Sequence, residues 1–551
     1  MPYQNFLISN FQTGKDISRE PWLTPPDAFP VSENARTDKG VMEKRLGYSP
    51  FATMNHGGVN QTDTAITGIH TYLKDGKPEL LAMDNNRINR YDAVADAMVD
   101  ISGDVTTPID IFSGGDSDFF SYVNWQDVGY FVNNVNQIHQ YPGDGEAVVP
   151  FNYQFNIDDE KENQLDTCRH LFVKDDRLFF LDTIEFGDQY PQRLRFTPTL
   201  QTDGLQAGGG HVDAPTEHVI CAAGWSGDNI AVFMRGDNGG SFWEIQNTGN
   251  TDVPYRWKKI SDLEGCQSPY SAVPIKAGQD LRDGLAVVGM SNILFYDGFR
   301  VRDLDDPKLR DILDTFESSE ITSIYSYWQF EKRRLLISYA NNGASAPDSL
   351  LEYSAEENNW TIHNSKQSFF VNCMGSFNGQ KSPTWVQTDD AFGVPDAEMN
   401  EAFWDSRIIA GDPKPFTLIG CRNSQIYKWQ DGEFDGTDDA NGNIPLLVKS
   451  SRLNPFAKEG QKVALGAIKI FVDNDSSASF NIKLYKNTSS TPFKTQLVSC
   501  NGSNDKFWTS VFADGEVGDF HRIEVSHDAR GNTPRIHAFD IEMRPAGRFD
   551  L

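Results

Sequence analysis

Cysteine is scarce in this chain and never clustered: Cys168, Cys221, Cys266, Cys373, Cys421 and Cys500 include no Cys-x-x-Cys pair. That excludes a disulfide scaffold and points to reduced, mostly buried thiols. Basic residues also run short. Lys and Arg number 49 against 78 Asp and Glu, a formal net charge of −29, so the surface repels phosphates and anionic headgroups and a gripping nucleic-acid binder is excluded. Nowhere do about 18 apolar residues follow one another, which leaves no membrane-spanning helix. The start, Met1-Pro2-Tyr3-Gln4-Asn5-Phe6-Leu7-Ile8, lacks a basic region and an apolar run, so no secretory signal is expected. Helical periodicity is confined to Asp306–Phe316, where Pro307 follows an Asp and apolar residues fall at i, i+3, i+4 and i+7; a rim helix is expected there. All-α and alternating α/β architectures are therefore excluded. With 38% hydrophobic residues in 551, there is ample chain to bury a core, and wholesale disorder is excluded.

What the chain has is a returning hairpin, two short apolar strands around a polar turn. Leu80–Met83 precedes Ile88–Tyr91, Gly129–Val132 precedes Ile138–Tyr141, and Leu178–Leu181 precedes Arg193–Phe196. Ile230–Phe233 precedes Phe242–Ile245, and Leu285–Val288 precedes Ile293–Tyr296. Leu335–Ser338 before Leu350–Tyr353 and Phe416–Ile419 before Gln425–Lys428 complete the set. Between the second residues of successive copies the steps are 49, 49, 52, 55, 50 and 81 residues. A step near 50 is the period of a propeller blade, a four-stranded antiparallel sheet. The spacing predicts an all-β chain with a β-propeller of about seven blades, six to eight being open. The long last step maps to Asp389–Pro415, an acidic, turn-rich stretch expected as a loop insertion on one rim.

The two ends differ from the middle. Residues 1–50 carry Pro2, Pro21, Pro25, Pro26, Pro30 and Pro50 with little period and read as an N-terminal extended arm. Residues 51–452 are then the propeller. From 453 to 551, period-two runs such as Ile468–Val472, Phe480–Leu484, Arg522–Val525 and Ile536–Met543 predict a C-terminal β-sandwich.

Within the arm stand Trp22-Leu23-Thr24-Pro25-Pro26-Asp27-Ala28-Phe29, then Asn34, then Gly40 through Lys44-Arg45-Leu46-Gly47-Tyr48. At the other end stands Arg535 through Met543, followed by Arg544-Pro545-Ala546-Gly547-Arg548. Together these resemble the opening and closing segments of tail proteins of short-tailed bacteriophages: the nozzle, or tail tubular protein B, and head-to-tail connector proteins. The resemblance implies a structural virion protein, assembled in host cytoplasm and resident in the tail, that forms a homo-oligomeric ring, commonly a hexamer. The ring would sit against an adaptor or portal-side tail ring, with tail fibres as further partners. It would surround the DNA exit channel and help retain and release the genome, with genomic DNA only as passing cargo. No membrane insertion, cofactor, metal or catalytic residue is expected on this reading, and the chain is expected not to be an enzyme. Assembly contacts are expected at Trp22, Phe29, Lys44, Arg45 and Tyr48, and deletion of residues 1–50 is expected to leave a folded propeller that no longer joins particles.

The alternative is a glycan-binding or glycan-cleaving propeller at a phage or cell surface, with a rim pocket of aromatics such as Trp225, Trp243 and Trp257 to stack sugars. Motif chemistry adds little to it. Arg235–Trp243 partly matches the Asp-box turn of sialidase blades, but such a turn is structural, and with 78 acidic residues no carboxylate pair stands out. Asp435–Asn443 is rich in oxygen ligands yet out of EF-hand register, so it reads as a solvated turn. No Gly-x-Ser-x-Gly elbow and no His-Glu-x-x-His occurs, which leaves serine hydrolase and zincin chemistry without visible residues.

Overall fold

A computed structural model describes the chain except for residues 1, 104–109, 157–162, 203–207, 238, 252, 277–282, 305–307, 310–311, 366–370, 379–414, 437–441, 476–477, 503, 529–533 and 550–551. Seven antiparallel sheets follow one another, and their first strands are Ile66–Lys74, Ser121–Trp125, Asn163–Lys174, Val219–Ser226, Val273–Ile275, Tyr325–Gln329 and Val371–Phe377, the third sheet carrying an additional strand, Tyr153–Asn156, ahead of its own. The first six step outward in chain order, as propeller blades do. The seven hairpins legible in the sequence are the second and third strands of blades 1 to 7. Those strands are buried on both faces, as in Gly284–Val288 and Arg334–Tyr339, which is why they read as continuous apolar runs.

An apolar cluster fills every one of the seven interfaces between neighbouring blades. Blades 1 and 2 meet through Tyr72, Leu81, Phe112 and Phe131, blades 4 and 5 through Cys221, Phe233, Leu285 and Val287, and blades 7 and 1 through Cys373, Leu418, Ile66 and Leu80. The remaining four interfaces are built alike, so the ring is closed. The ring closes with a strand from the far end of the chain: the outer strand of blade 7 is Tyr48–Thr53, antiparallel to Gln425–Trp429 with Ser49 opposite Lys428. All six cysteines are buried and free. Among the described residues of the expected rim helix, Ile312–Thr315 form a 3-10 turn, and residues 306–307 and 310–311 lie outside them. Leu309, Ile312 and Phe316 are nevertheless buried between blades 5 and 6, as the apolar spacing required. The expected insertion, Asp389–Pro415, lies outside the described residues apart from Pro415.

The arm is not an appendage, which corrects the division at residue 50. One sandwich sheet runs Lys506–Gly518, Gln461–Asp473, Arg535–Arg548, Val41–Lys44 and Ala35–Asp38, with Gln4–Ser9 also paired to Arg535–Arg548. The other contains Val31–Glu33, Leu446–Lys449, His521–His527, Ser479–Lys486 and Lys494–Ser499. Phe11, Phe29, Ala35 and Met42 from the arm join Ile468, Phe480, Val525 and Phe539 in one core. Val31–Glu33 also bridges Ile362 on the outer strand of blade 6, so propeller and sandwich share a sheet. Beneath this junction Glu352 of blade 6 is buried among Arg36 of the arm at 3.4 Å, Arg334, and His363 at 3.0 Å. Burial alone would push the Glu352 carboxyl up; Arg334, Arg36 and His363 overcome it and hold the group well below the usual carboxylate range.

Candidate functional site in the axial well

The five expected assembly residues divide sharply. Phe29, Lys44, Arg45 and Tyr48 are buried within the chain, whereas Trp22 is 52% exposed. Arg45 donates from Nε to Asn34 Oδ1 at 2.8 Å, from its two Nη atoms to Asp435 at 2.7 and 2.6 Å, and to the Asn364 carbonyl at 2.9 Å. Tyr48 packs between Tyr427 and Trp429 at ring distances of 4.9 and 6.3 Å. Gly47 is required because a Cβ there would lie 1.9 Å from the Phe434 carbonyl oxygen. Burial brings Lys44 down to about 8, with its Nζ 3.3 Å from His527 Nδ1. These residues hold the chain to itself, and Trp22 alone of the five offers an open face. Asp435, the first residue of the expected oxygen-rich turn, is engaged by Arg45 and Ser365; residues 437–441 of that turn lie outside the described residues.

The concave feature that the fold builds is on the propeller axis. First strands contribute His70 from blade 1, Tyr122 from blade 2, His170 and Phe172 from blade 3, Trp225 from blade 4, and Tyr325, Ser326 and Tyr327 from blade 6, around a well of about 300 Å³. Phe119 of blade 2 contacts Tyr270, just before blade 5, at 5.4 Å and Tyr325 of blade 6 at 5.0 Å. Those blades lie across the ring, so the contact spans the axis and stops the well. On the other side it adjoins a wider mouth of about 680 Å³, which shares Trp225, Val273, Pro274 and Tyr327 with it. Phe330, Lys276, Asp283 and Glu331 also line that mouth.

The well is neutral. Among the described residues, no Asp, Glu, Lys or Arg lines its inner part. Burial lowers His70 and His170 to about 4, so both rings are uncharged at neutral pH, and burial raises Tyr122, Tyr270 and Tyr325. In three residues of the well, the buried atoms His70 Nε2, Tyr122 Oη and Ser326 Oγ have no hydrogen-bond partner among the described residues, and the first two face inward, beside Gly68 and Gly129. Buried polar groups are normally paired.

Of the three tryptophans expected in a rim pocket, Trp225 lines the well, while Trp243 and Trp257 pack edge to face at 6.5 Å in the cluster between blades 3 and 4. Near the stopped end lies a separate pair: Arg169 Nε to Asp182 Oδ2 at 2.6 Å, with burial raising the Asp182 carboxyl. Among the described residues no group of His, Cys, Asp and Glu could hold a metal ion, and no helix is long and apolar enough to cross a membrane.

No known family matches this sequence, and no curated protein does. Among solved structures, an exo-β-1,3-galactanase from Phanerochaete chrysosporium is 8% identical, with 91% of this chain and 100% of that chain covered and a TM-score of 0.24. YCF48 from Cyanidioschyzon merolae is 7% identical over 67% of this chain and 96% of that chain, with a TM-score of 0.33. A glycoside hydrolase family 43 arabinoxylan arabinofuranohydrolase from Bacillus subtilis is 8% identical over 94% and 96%, with a TM-score of 0.21. Glycoside hydrolases stand among these neighbours, which corrects the expectation that the chain is not an enzyme. At such identities and scores they bring no activity of their own to it, and the propeller assignment rests on the seven sheets and their interfaces.

Proposed function

We propose that the chain is a glycan-recognising propeller whose axial well binds carbohydrate. The observation that carries this reading is a neutral well on the propeller axis with the rings of Trp225, Tyr327 and Phe330 along the adjoining mouth. A sugar ring has apolar faces that stack on aromatics and hydroxyls that hydrogen-bond, and this lining offers both. Asp283 and Glu331 line the same mouth. Glycosidic cleavage uses two carboxylates flanking the bond, and these two are the pair a cleaving activity would draw on. Screening the full chain on a glycan array is expected to give saturable binding that weakens at least tenfold in Phe330→Ala, whose ring is 59% exposed and dispensable to the core. Release of reducing sugar that disappears in Asp283→Asn/Glu331→Gln while binding persists would assign cleavage. An array without a single bound glycan would overturn the reading.

A second reading, a ring-forming protein of a short-tailed phage tail, is favoured by where the two end motifs meet. Arg535–Arg548 pairs with both Gln4–Ser9 and Val41–Lys44, so the segments that carry the resemblance form one structural unit. Phe119 stops the propeller's own channel, so a DNA passage would run between copies of the chain. Mass photometry of the purified chain, alone and with portal-side tail proteins, is expected on this reading to give closed rings of five to seven copies. A strictly monomeric chain under both conditions would sink it.

A further inference from the structure

We propose that the chain pairs with a second copy of itself through the sandwich edge strand Lys506–Gly518, antiparallel about a two-fold axis at Ser510. This stands on the sandwich alone and is independent of the glycan reading. A two-fold contact uses each edge once, so it closes at two copies and differs from a ring of five to seven.

Lys506–Gly518 ends its sheet, bonded to Gln461–Asp473 on one side and, among the described residues, to no strand on the other. Such an edge offers free backbone groups to another strand and is ordinarily guarded. Outer strands of the blades show the guards: Pro50 within Tyr48–Thr53, Arg256, Lys258 and Lys259 within Tyr255–Ser261, and a length of two residues at Val149–Pro150. Between Lys506 and the bulge that follows Phe512, where Asp514 and Gly515 turn to positive φ, this edge has none of them. Phe507-Trp508-Thr509-Ser510-Val511-Phe512 holds no charge and no proline and is rich in β-formers. Its outward side chains are large and apolar: Trp508 is 48% and Phe512 61% exposed. Gln496, on the edge of the other sheet, donates to the Ser510 carbonyl at 3.4 Å, a long bond that a backbone N–H displaces.

The partner follows from the strand's own order of residues. Turned antiparallel about Ser510, it sets Trp508 of one copy opposite Phe512 of the other, twice, and brings Lys506 to Asp514 at both ends. Aromatic and opposite-charge cross-strand pairs both stabilise. An axis at Thr509 would set Lys506 against Phe512, and one at Val511 would set Trp508 against Asp514. The side chains of Lys506 and Asp514 are 51% and 77% exposed, and their present partners Asp473 and Lys494 are surface ion pairs of small worth. Phe471 stacks on Trp508 at 5.1 Å and 26°, which holds the indole in place before a partner arrives.

The test is sedimentation velocity of the full chain from ~1 to ~100 µM, with hydrogen exchange read at both ends of that range. A two-copy species is expected to grow with concentration, and the amides of residues 506–512 to exchange more slowly as it forms. Lys506→Glu and Asp514→Lys, each placing like charges opposite one another at both ends, are expected to weaken pairing about five- to tenfold. Mixing the two variants is expected to restore it, because the mixed pair has opposite charges at both ends. Trp508→Ser is expected to weaken pairing at least tenfold with an unchanged thermal midpoint. A chain that stays monomeric to ~100 µM, a dimer in which 506–512 exchange as in the monomer, or variants that pair no better mixed than alone would overturn the proposal. Rings of five to seven copies whose mass and exchange are untouched by Lys506→Glu would also overturn it while supporting the tail reading. Protection of 506–512 that appears only when another protein is added would overturn it in favour of a different strand on this edge.

Discussion

Replacing Arg45 by methionine is expected to lower the unfolding free energy by about 3–5 kcal/mol, among the largest effects of any single substitution in this chain. Arg45 and Asp435 are each 0% exposed at their side chains and joined at 2.6 Å, so removing the guanidinium takes from a solvent-free carboxylate the counter-charge that it touches. It also withdraws the donors that satisfy Asn34 Oδ1 and the Asn364 carbonyl, and vacates the face of Trp429, 5.6 Å from the guanidinium carbon. Those partners come from the arm, blade 6 and the end of blade 7, so the cost falls on the junction that holds three parts of the chain together. Urea unfolding followed by tryptophan fluorescence reads the shift. The double variant Arg45→Met/Asp435→Leu is expected to recover part of the loss, because it removes the buried charge along with its partner. A single-variant loss below about 1 kcal/mol would show that the pair is not the fastening that its burial implies.

How legible all this is in the sequence depends on which face of a strand decides its composition. Middle strands such as Leu178–Leu181 are packed on both sides, so each blade announces itself. Outer strands do not: Tyr255–Ser261 is half exposed and mixes Arg and Lys with Trp, and Ser121–Trp125 lines the axis with little apolar bias. The closing strand Tyr48–Thr53 is invisible for a different reason. Its partner Gln425–Trp429 is more than 370 residues away, and Pro50 within it argues for an extended arm, which is what an edge strand tolerates. Lys44-Arg45 reads as a solvated basic turn because two adjacent cations rarely go inside, and only the remote Asp435 makes the burial of Arg45 affordable. The well suffers from the same distance. Its lining comes from residues 70, 122, 170 and 225, one to a blade, and no local motif joins them. Trp225 was within reach of composition alone, but grouping it with Trp243 and Trp257 followed proximity in sequence, whereas the three share one face of blade 4 on its first, third and fourth strands and only the first lines the well.

Deleting residues 1–53 is expected to abolish the cooperative fold of propeller and sandwich together. The truncation removes the outer strand of blade 7, leaving Gln425–Trp429 as a long unpaired edge. It takes Tyr48 out of the cluster between blades 6 and 7. It also strips Phe11, Phe29 and Met42 from the sandwich core and leaves Asp435 and Glu352 buried without Arg45 and Arg36. Aggregation on expression, with loss of near-ultraviolet circular dichroism in whatever stays soluble, is the expected result; a folded propeller of residues 54–551 would restore the arm as an appendage. Because failure to fold can have many causes, a cut chain separates them. A protease site placed in the exposed Gly57-Gly58 turn severs the arm after folding without removing a contact. The cleaved arm is expected to co-elute with the remainder in native buffer and to separate only in denaturant, because its strands are hydrogen-bonded into two sheets of the sandwich and one blade. An arm that leaves while the remainder keeps its near-ultraviolet spectrum would show that the ring closes without it.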